Sequence, residues 1–200
     1  GRWLALDKPN TSADSDVYLV DLQGDGTPQR ITGHAGNIAY GVFDFTPDSS
    51  GLVLSTDEHG EFGQAWVHDL ASGERTSLLQ ADWDVMFMSW SPSGRYRVSA
   101  INEDASTRIT VLDTRSGKPL QLSGLPDGDI GPLRFSQDET RVAFTVASDT
   151  SPADIFVADL ADGKARRLTT ALNPAIKESD LVEAGIVRYP GQGGVEIPAV

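Results

Sequence analysis

The chain has 200 residues, of which 39% are apolar and 22% charged, a balance typical of a folded globular protein. Its 16 basic and 29 acidic residues give a net charge of −13, which would repel a phosphate backbone and argues against a nucleic-acid partner. The absence of cysteine excludes disulfides and thiolate metal sites, and no apolar run reaches the roughly 20 residues of a membrane helix.

Two patterns recur along the chain with the same period. The first is an aromatic residue, then Ser or Thr, then a polar turn, and it occurs at Phe45, Trp90 and Phe135, spaced by 45 and 45 residues. The second is a β-rich run that closes on an aspartate, and successive aspartates are 48, 44 and 46 residues apart. These aspartates are Asp21, Asp69, Asp113 and Asp159. Two independent markers with one period indicate a repeat architecture.

Each repeat reads as four short antiparallel strands joined by Gly, Asp, Pro and Ser turns, which is one blade of a β-propeller. The sequence therefore predicts an all-β fold of four consecutive four-stranded blades, at 1–36, 37–82, 83–128 and 129–172. Gly1–Leu6 aligns with Gly94–Ser99, so we expect the first blade to lack its first strand and the chain to be part of a larger propeller.

Stacking of the blades would bury both faces of their strands, which would explain a nearly continuous apolar run such as Ile155–Leu160. The recurring aspartates have a structural role if their carboxylates accept backbone N–H groups of the following turn. We prefer that role to metal binding, because the four aspartates fall on four different blades.

Residues 173–200 break the period and read as a linker, with a hint of helix at Ala175–Ala184, followed by new strands.

The repeat resembles that of two propeller groups, the periplasmic propeller of the Tol system and the serine peptidases of the prolyl oligopeptidase family. Trp90-Ser91-Pro92-Ser93-Gly94 and Asp159-Leu160 with Arg167-Leu168-Thr169 carry the resemblance over residues 1 to about 172. Val187–Val200, with Val-Arg-Tyr followed by Glu-Ile-Pro-Ala, looks like the junction at which acylaminoacyl- and dipeptidyl-peptidases enter their α/β-hydrolase domain. Gly193-Gly194 departs from the Asp-Gly usual there.

No catalytic residue is predicted in the chain itself. Hydrolases of this family place their serine in Gly-x-Ser-x-Gly, followed by Asp and then His, and the chain contains no such elbow. Its three histidines precede the junction: we expect His68 to pack or lie at the surface, and His34 and His59 to be solvated. No zinc, calcium or dinucleotide motif is complete, so we predict neither a metal nor a cofactor.

One loop is a candidate for substrate binding, Asp57–Phe62 between the second and third strands of the second blade. The resemblance implies that this loop faces the cavity between propeller and hydrolase, where Glu61 could pair with a peptide amino terminus and Phe62 could line the pocket. The alternative is that Phe62 only packs on the neighbouring blade. Glu103 in the equivalent loop of the next blade is a weaker candidate.

Two functions from different classes follow. The resemblance implies a propeller that acts as lid and substrate gate of a serine peptidase for short peptides, with a peptide substrate and the α/β-hydrolase domain of the same protein as partners. The rival is a Tol-like propeller that binds a protein or peptide without catalysis. The N-terminus carries no export signal, so we expect a cytoplasmic protein, with a periplasmic one as the alternative. The sequence leaves the oligomeric state open.

Overall fold

In the computed structural model, residues 1–104 and 106–199 are described, except for the side chain of Glu178. The chain is all-β and forms two compact units, Gly1–Trp90 and Ser91–Val200. The sheets of three or more strands have the antiparallel order of a propeller blade, which confirms the predicted fold class. The blade boundaries drawn from the sequence stay a prediction.

The first unit contains two antiparallel sheets and one further strand. The first sheet is ordered β1-β2-β3 and the second β4-β5-β6-β7, each strand pairing with its neighbour in the chain. The bounds are β1 Trp3–Thr11, β2 Asp14–Asp21, β3 Gln29–Arg30, β4 Tyr40–Phe45, β5 Gly51–Thr56, β6 Gln64–Asp69, β7 Arg75–Leu79 and β8 Val85–Trp90.

The second unit continues the repeat and ends in a separate hairpin. Strands β9, β10 and β11 pair in order, β14, β15 and β16 do the same, and β17 pairs with β18. The bounds are β9 Tyr96–Glu103, β10 Ser106–Asp113, β11 Lys118–Pro119, β12 Asp129–Ile130, β13 Arg134–Phe135, β14 Arg141–Ser148, β15 Ser151–Asp159, β16 Ala165–Arg167, β17 Val187–Pro190 and β18 Glu196–Ala199. The 3₁₀ turns Glu178–Asp180 and Gln192–Gly194 flank β17.

The core of the first unit lies between its two sheets. Val17 and Leu19 of β2 pack with Tyr40, Leu52 and Leu54 of β4 and β5, and each of these is buried. Both faces of β5 are covered, because Val53 on the opposite face is also fully buried. Gly51 opens β5 where a Cβ would lie 2.7 Å from Cγ1 of Val67, so the close approach of β6 requires glycine there.

The recurring aspartates cap turns, as predicted. Asp69 Oδ1 accepts the backbone N–H groups of Ala71 and Ser72 at 3.0 and 2.7 Å. Asp21, Asp113 and Asp159 each accept the N–H two residues on. In the turn before β5, Asp48 accepts Thr46 Oγ1 at 2.7 Å and the N–H of Ser50, and these bonds, that of Thr46 first, lower the pKa of Asp48 to about 2.

A buried carboxylate that the sequence analysis did not single out anchors the last blade. Asp154 is 1% exposed and accepts Thr169 Oγ1 at 2.6 Å, the N–H of Ala171 at 2.9 Å and Arg167 Nε at 3.1 Å. Asp16 holds Arg30 and Thr32 of the first blade in the same way. The Arg-x-Thr of the outer strand is thus the partner of an aspartate on the third strand.

Two local expectations were wrong. Ile155 is 44% exposed and β15 alternates between buried and exposed residues, because nothing in the described chain covers its outer face. Ala175–Ala184 contains one 3₁₀ turn and no α-helix, since Ile176 and Val182 are 44% and 83% exposed and find no core to pack against. A feature on which no expectation was stated is that the first strand of the last blade is divided into β12 and β13, with Gly131, Pro132 and Leu133 between them.

Candidate functional site

The loop between β5 and β6, residues 57–63, is fastened at both ends. Asp57 Oδ1 accepts the N–H of Ala39 at 2.8 Å, and the N–H of Glu58 donates to Thr56 Oγ1 at 3.1 Å. At the far end, the N–H of Gly63 donates to Asp84 Oδ1 at 2.8 Å. The base of the loop is therefore fixed by the segments that precede β4 and β8.

Glu58 forms a polar cluster with Tyr40 and Arg75. The Tyr40 hydroxyl donates to Glu58 Oε2, and Arg75 Nη1 donates to the Tyr40 oxygen at 2.6 Å and lies 3.2 Å from Glu58 Oε2. Burial, followed by the bond to Glu58, raises the pKa of Tyr40 to about 12. The same bond, with Arg75 adding to it, holds the pKa of Glu58 below its ordinary value. Glu58 is thus a charged acceptor at neutral pH.

Glu61 and Phe62 have different surroundings within this loop. Glu61 is exposed, and among residues 1–104 and 106–199 its carboxylate accepts no hydrogen bond and forms no ion pair. The ring of Phe62 lies 5.9 Å from that of Trp83, tilted by 35°. The packing of Phe62 on the segment that leads into β8 gives this side chain a structural role, whereas the Glu61 carboxylate has no partner in the described structure.

Glu103 belongs to the second unit. It ends β9, and its Oε2 is 2.9 Å from Arg108 Nε in an ion pair across the β9–β10 hairpin. The pair is solvent-exposed, with 67% of the Arg108 side chain and 36% of the Glu103 side chain accessible, so it binds Glu103 only weakly.

The second unit also contains an open polar groove of about 750 Å³. Its lining includes Asp149 of the β14–β15 turn, Asp127 of the segment before β12, and the later residues Glu183, Ala184 and Ile186. The N–H of Ala184 donates to Asp149 Oδ2 at 3.0 Å, and Arg188 Nη2 of β17 lies 2.5 Å from Asp104 Oδ1. The chain after the last blade is therefore tied to the loops between second and third strands.

The histidines offer no catalytic arrangement. His68 is 8% exposed within β6, as expected for a packing residue, and burial lowers its pKa. His59 is 42% exposed beside Glu58. The expectation for His34 was wrong: its side chain is 4% exposed, because the ring packs 5.5 Å from that of Tyr40 with Nε2 3.4 Å from the carbonyl of Ser15. Among residues 1–104 and 106–199, His, Asp and Glu side chains form no cluster of three that could hold a metal ion. The same residues contain no helix with the length and hydropathy of a membrane span.

No family model and no curated protein matches the sequence, but solved structures match the fold. A chain from a structural study of two prolyl endopeptidases is 19% identical with a TM-score of 0.73, over 99% of this chain and 29% of that one. A puromycin-hydrolyzing peptidase of Mycobacterium tuberculosis is 17% identical with a TM-score of 0.75, over 98% and 31%. TolB from Acinetobacter baumannii is 18% identical with a TM-score of 0.61, over 86% and 42%.

These likenesses establish the fold, a set of propeller blades of the type present in prolyl oligopeptidase family structures. The chain spans less than half the length of each of the three solved chains.

Proposed function

We propose that the chain is the propeller part of a serine peptidase that hydrolyses short peptides, and that it gates access to a catalytic domain without contributing catalytic residues. The observation that carries the proposal is the fastening of Ala184 and Arg188 to Asp149 and Asp104. In the repeat, those loops correspond to the 57–63 loop. A domain that continues from β17 and β18 would start at loops that correspond in the repeat to the loop that bears Glu61.

The extent of the structural matches supports the same conclusion. The peptidase matches cover 98% and 99% of the chain and so take in most of residues 173–200. The TolB match covers a smaller share, 86% of the chain. The larger share matched by the peptidases favours the peptidase over the Tol-like propeller. Val200, the last residue of the predicted junction, lies outside the described residues.

Within this function, Glu61 would bind the free amino terminus of a peptide, with Phe62 beside it and Glu103 as a contact in the next blade. The partners would be the peptide substrate and an α/β-hydrolase domain of the same protein, in the cytoplasm. An exposed carboxylate that has no cation of its own can pair with an ammonium group, and a cavity closed by a second domain would strengthen that pairing by excluding water.

Reading the source frame for about 250 codons beyond Val200, the span of an ordinary large domain, tests the proposal. Gly-x-Ser-x-Gly followed by Asp and His would support it. A frame without that elbow would refute it and leave the Tol-like binding propeller, the candidate favoured by the TolB match over 86% of the chain.

Glu61→Ala in the intact protein tests the assigned role of that residue. We expect a higher KM for peptides with a free amino terminus and no change for acetylated ones. Glu74→Ala is the matched control, because Glu74 is an exposed glutamate of the same sheet on the turn at the other end of β6. An unchanged KM for free peptides would remove Glu61 from the site.

A further inference from the structure

The three carboxylates of the 57–63 loop differ in their partners. Asp57 is engaged by the N–H of Ala39, and Glu58 by Tyr40 and Arg75. Glu61 has no partner among the described residues. A ligand cation that approached this loop would therefore find one carboxylate uncommitted and two already neutralised or bonded.

Tyr40, Glu58 and Arg75, here called the loop clamp, are themselves held in place. The Tyr40 side chain is buried, and its backbone N–H and C=O both bond Ser15 Oγ of the first sheet, at 2.8 and 2.6 Å. Arg75 Nη2 donates to the carbonyl of Ile31 at 2.8 Å, and the guanidinium lies 5.0 Å from the Tyr40 ring centroid. The clamp thus connects the loop to both sheets of the first unit.

The side chains of the clamp are partly shielded from solvent, which distinguishes it from an ion pair on the surface. The side chains of Arg75 and Glu58 are 22% and 30% exposed, and the Tyr40 hydroxyl lies between them. Charge-assisted bonds in such a partly shielded position are stronger and more directional than those between solvated side chains. A loop whose second residue is held in this way has little freedom at its base.

We infer that Tyr40, Glu58 and Arg75 are positioning residues, which hold the 57–63 loop so that the carboxylate of Glu61 is presented to the amino terminus of a peptide. This inference rests on the proposed function for its substrate, and on the geometry of the first unit for its mechanism. It also assigns the two glutamates of the loop different tasks: Glu58 supports and Glu61 binds.

The kinetic test uses the intact protein with Tyr40→Phe, Glu58→Ala and Glu58→Gln. Tyr40→Phe removes the hydroxyl and keeps the buried ring. We expect KM for peptides with a free amino terminus to rise about 3- to 10-fold, the loss that corresponds to one hydrogen bond. KM for acetylated peptides and kcat for both should stay unchanged. Glu58→Gln retains an oxygen acceptor and should recover most of the loss seen in Glu58→Ala.

Tyr96→Phe is the matched control, because Tyr96 is a buried tyrosine of β9 that stacks 5.7 Å from Phe135 and lies outside the first unit. It should leave KM for both peptide types unchanged. Equal rises of KM for free and acetylated peptides in Tyr40→Phe would overturn the inference, since a loss of general structure would affect both substrates alike.

Hydrogen exchange provides a readout that does not depend on catalysis. In Tyr40→Phe and Glu58→Ala, the amides of Gly60 and Gly63 should exchange faster, because their bonds to Asp57 and Asp84 need a fixed loop base. Unchanged exchange would overturn the clamp even if the protein is a peptidase. Faster exchange in a protein without peptidase activity would refute the proposed function and retain the clamp.

Discussion

Leucine occupies one repeat position of the second strand in both blades of the first unit, and its burial differs between them. Leu54 pairs with Trp66, three residues before Asp69, and Leu6 pairs with Tyr18, three residues before Asp21. Leu54 is 0% exposed between the two sheets, whereas Leu6 is 39% exposed. Replacing each by alanine removes the same atoms from the same place in a blade.

The two substitutions should lower the free energy of unfolding by amounts that differ several-fold. Leu54→Ala loses the transfer free energy of a fully buried side chain and leaves a cavity against Val17 and Leu19, for a total of about 2–5 kcal/mol. Leu6→Ala loses only part of the roughly 1.5–3 kcal/mol of a buried leucine and leaves no enclosed cavity, so we expect about 1 kcal/mol or less. The difference measures how much stability comes from the contact between blades.

Urea unfolding of the 200-residue chain, followed by tryptophan fluorescence and circular dichroism, gives both free energies. Similar losses of unfolding free energy in the two variants would refute the reasoning, because the face of the first sheet would then have to be covered. A loss of unfolding free energy below about 1 kcal/mol in Leu54→Ala would also contradict the reasoning, since truncating a fully buried leucine destabilises a fold by more than that.

Three further predictions concern ionisable groups. Asp48 and Asp138 each have a pKa of about 2, below the ordinary 3.8, so the hydrogen bonds of their carboxylates stabilise the fold above pH 3.8 and are lost as the pH falls toward 2. Between pH 3.8 and 2, the urea midpoint of the double variant Asp48→Asn, Asp138→Asn should therefore fall less than that of the unaltered chain. An identical dependence of the midpoint on pH in the two proteins would contradict this prediction. Asp154→Asn should lower the melting temperature more than Asp162→Asn, because Asp154 is buried with Thr169 and Arg167 whereas half of the Asp162 side chain is exposed. Equal effects would show that the hydrogen bonds of Asp154 contribute no more to stability than those of an exposed aspartate. Tyr40, one of four tyrosines, has a pKa of about 12 against the ordinary 10, so in an ultraviolet titration its hydroxyl should stay protonated at pH 10. The stability that Tyr40 contributes below pH 10 should be lost as the pH rises toward 12. Ionisation of Tyr40 near pH 10 in the folded chain would refute the clamp geometry.

The fold could be predicted from the sequence because its signals are local and repeated. Asp69 and its counterparts mark turns by bonding their own neighbours, and the Ser/Thr turn before β5 does the same within six residues. Such patterns depend on short stretches of chain, so a period of about 45 residues exposes them. The sheet order followed directly, since within each sheet the strands pair with their neighbours in sequence, apart from β12 and β13, which both pair with β14.

The site was less predictable because it depends on contacts between distant residues. Arg75 meets Tyr40 across 35 residues and Ile31 across 44, and no spacing rule connects them. His34 is assigned to a solvated loop by its polar neighbours, yet the Tyr40 ring covers it. The exposed Ile155 shows the opposite case, in which an apolar residue fits the repeat but the described chain provides no covering blade.

Hydrolysis of short fluorogenic peptides by the intact protein, with the 200-residue chain assayed alongside, tests the central claim most directly. We expect turnover by the intact protein that a serine-directed phosphonate abolishes, and no turnover by the 200-residue chain. Peptide binding without turnover by the intact protein would contradict the account and support a binding propeller.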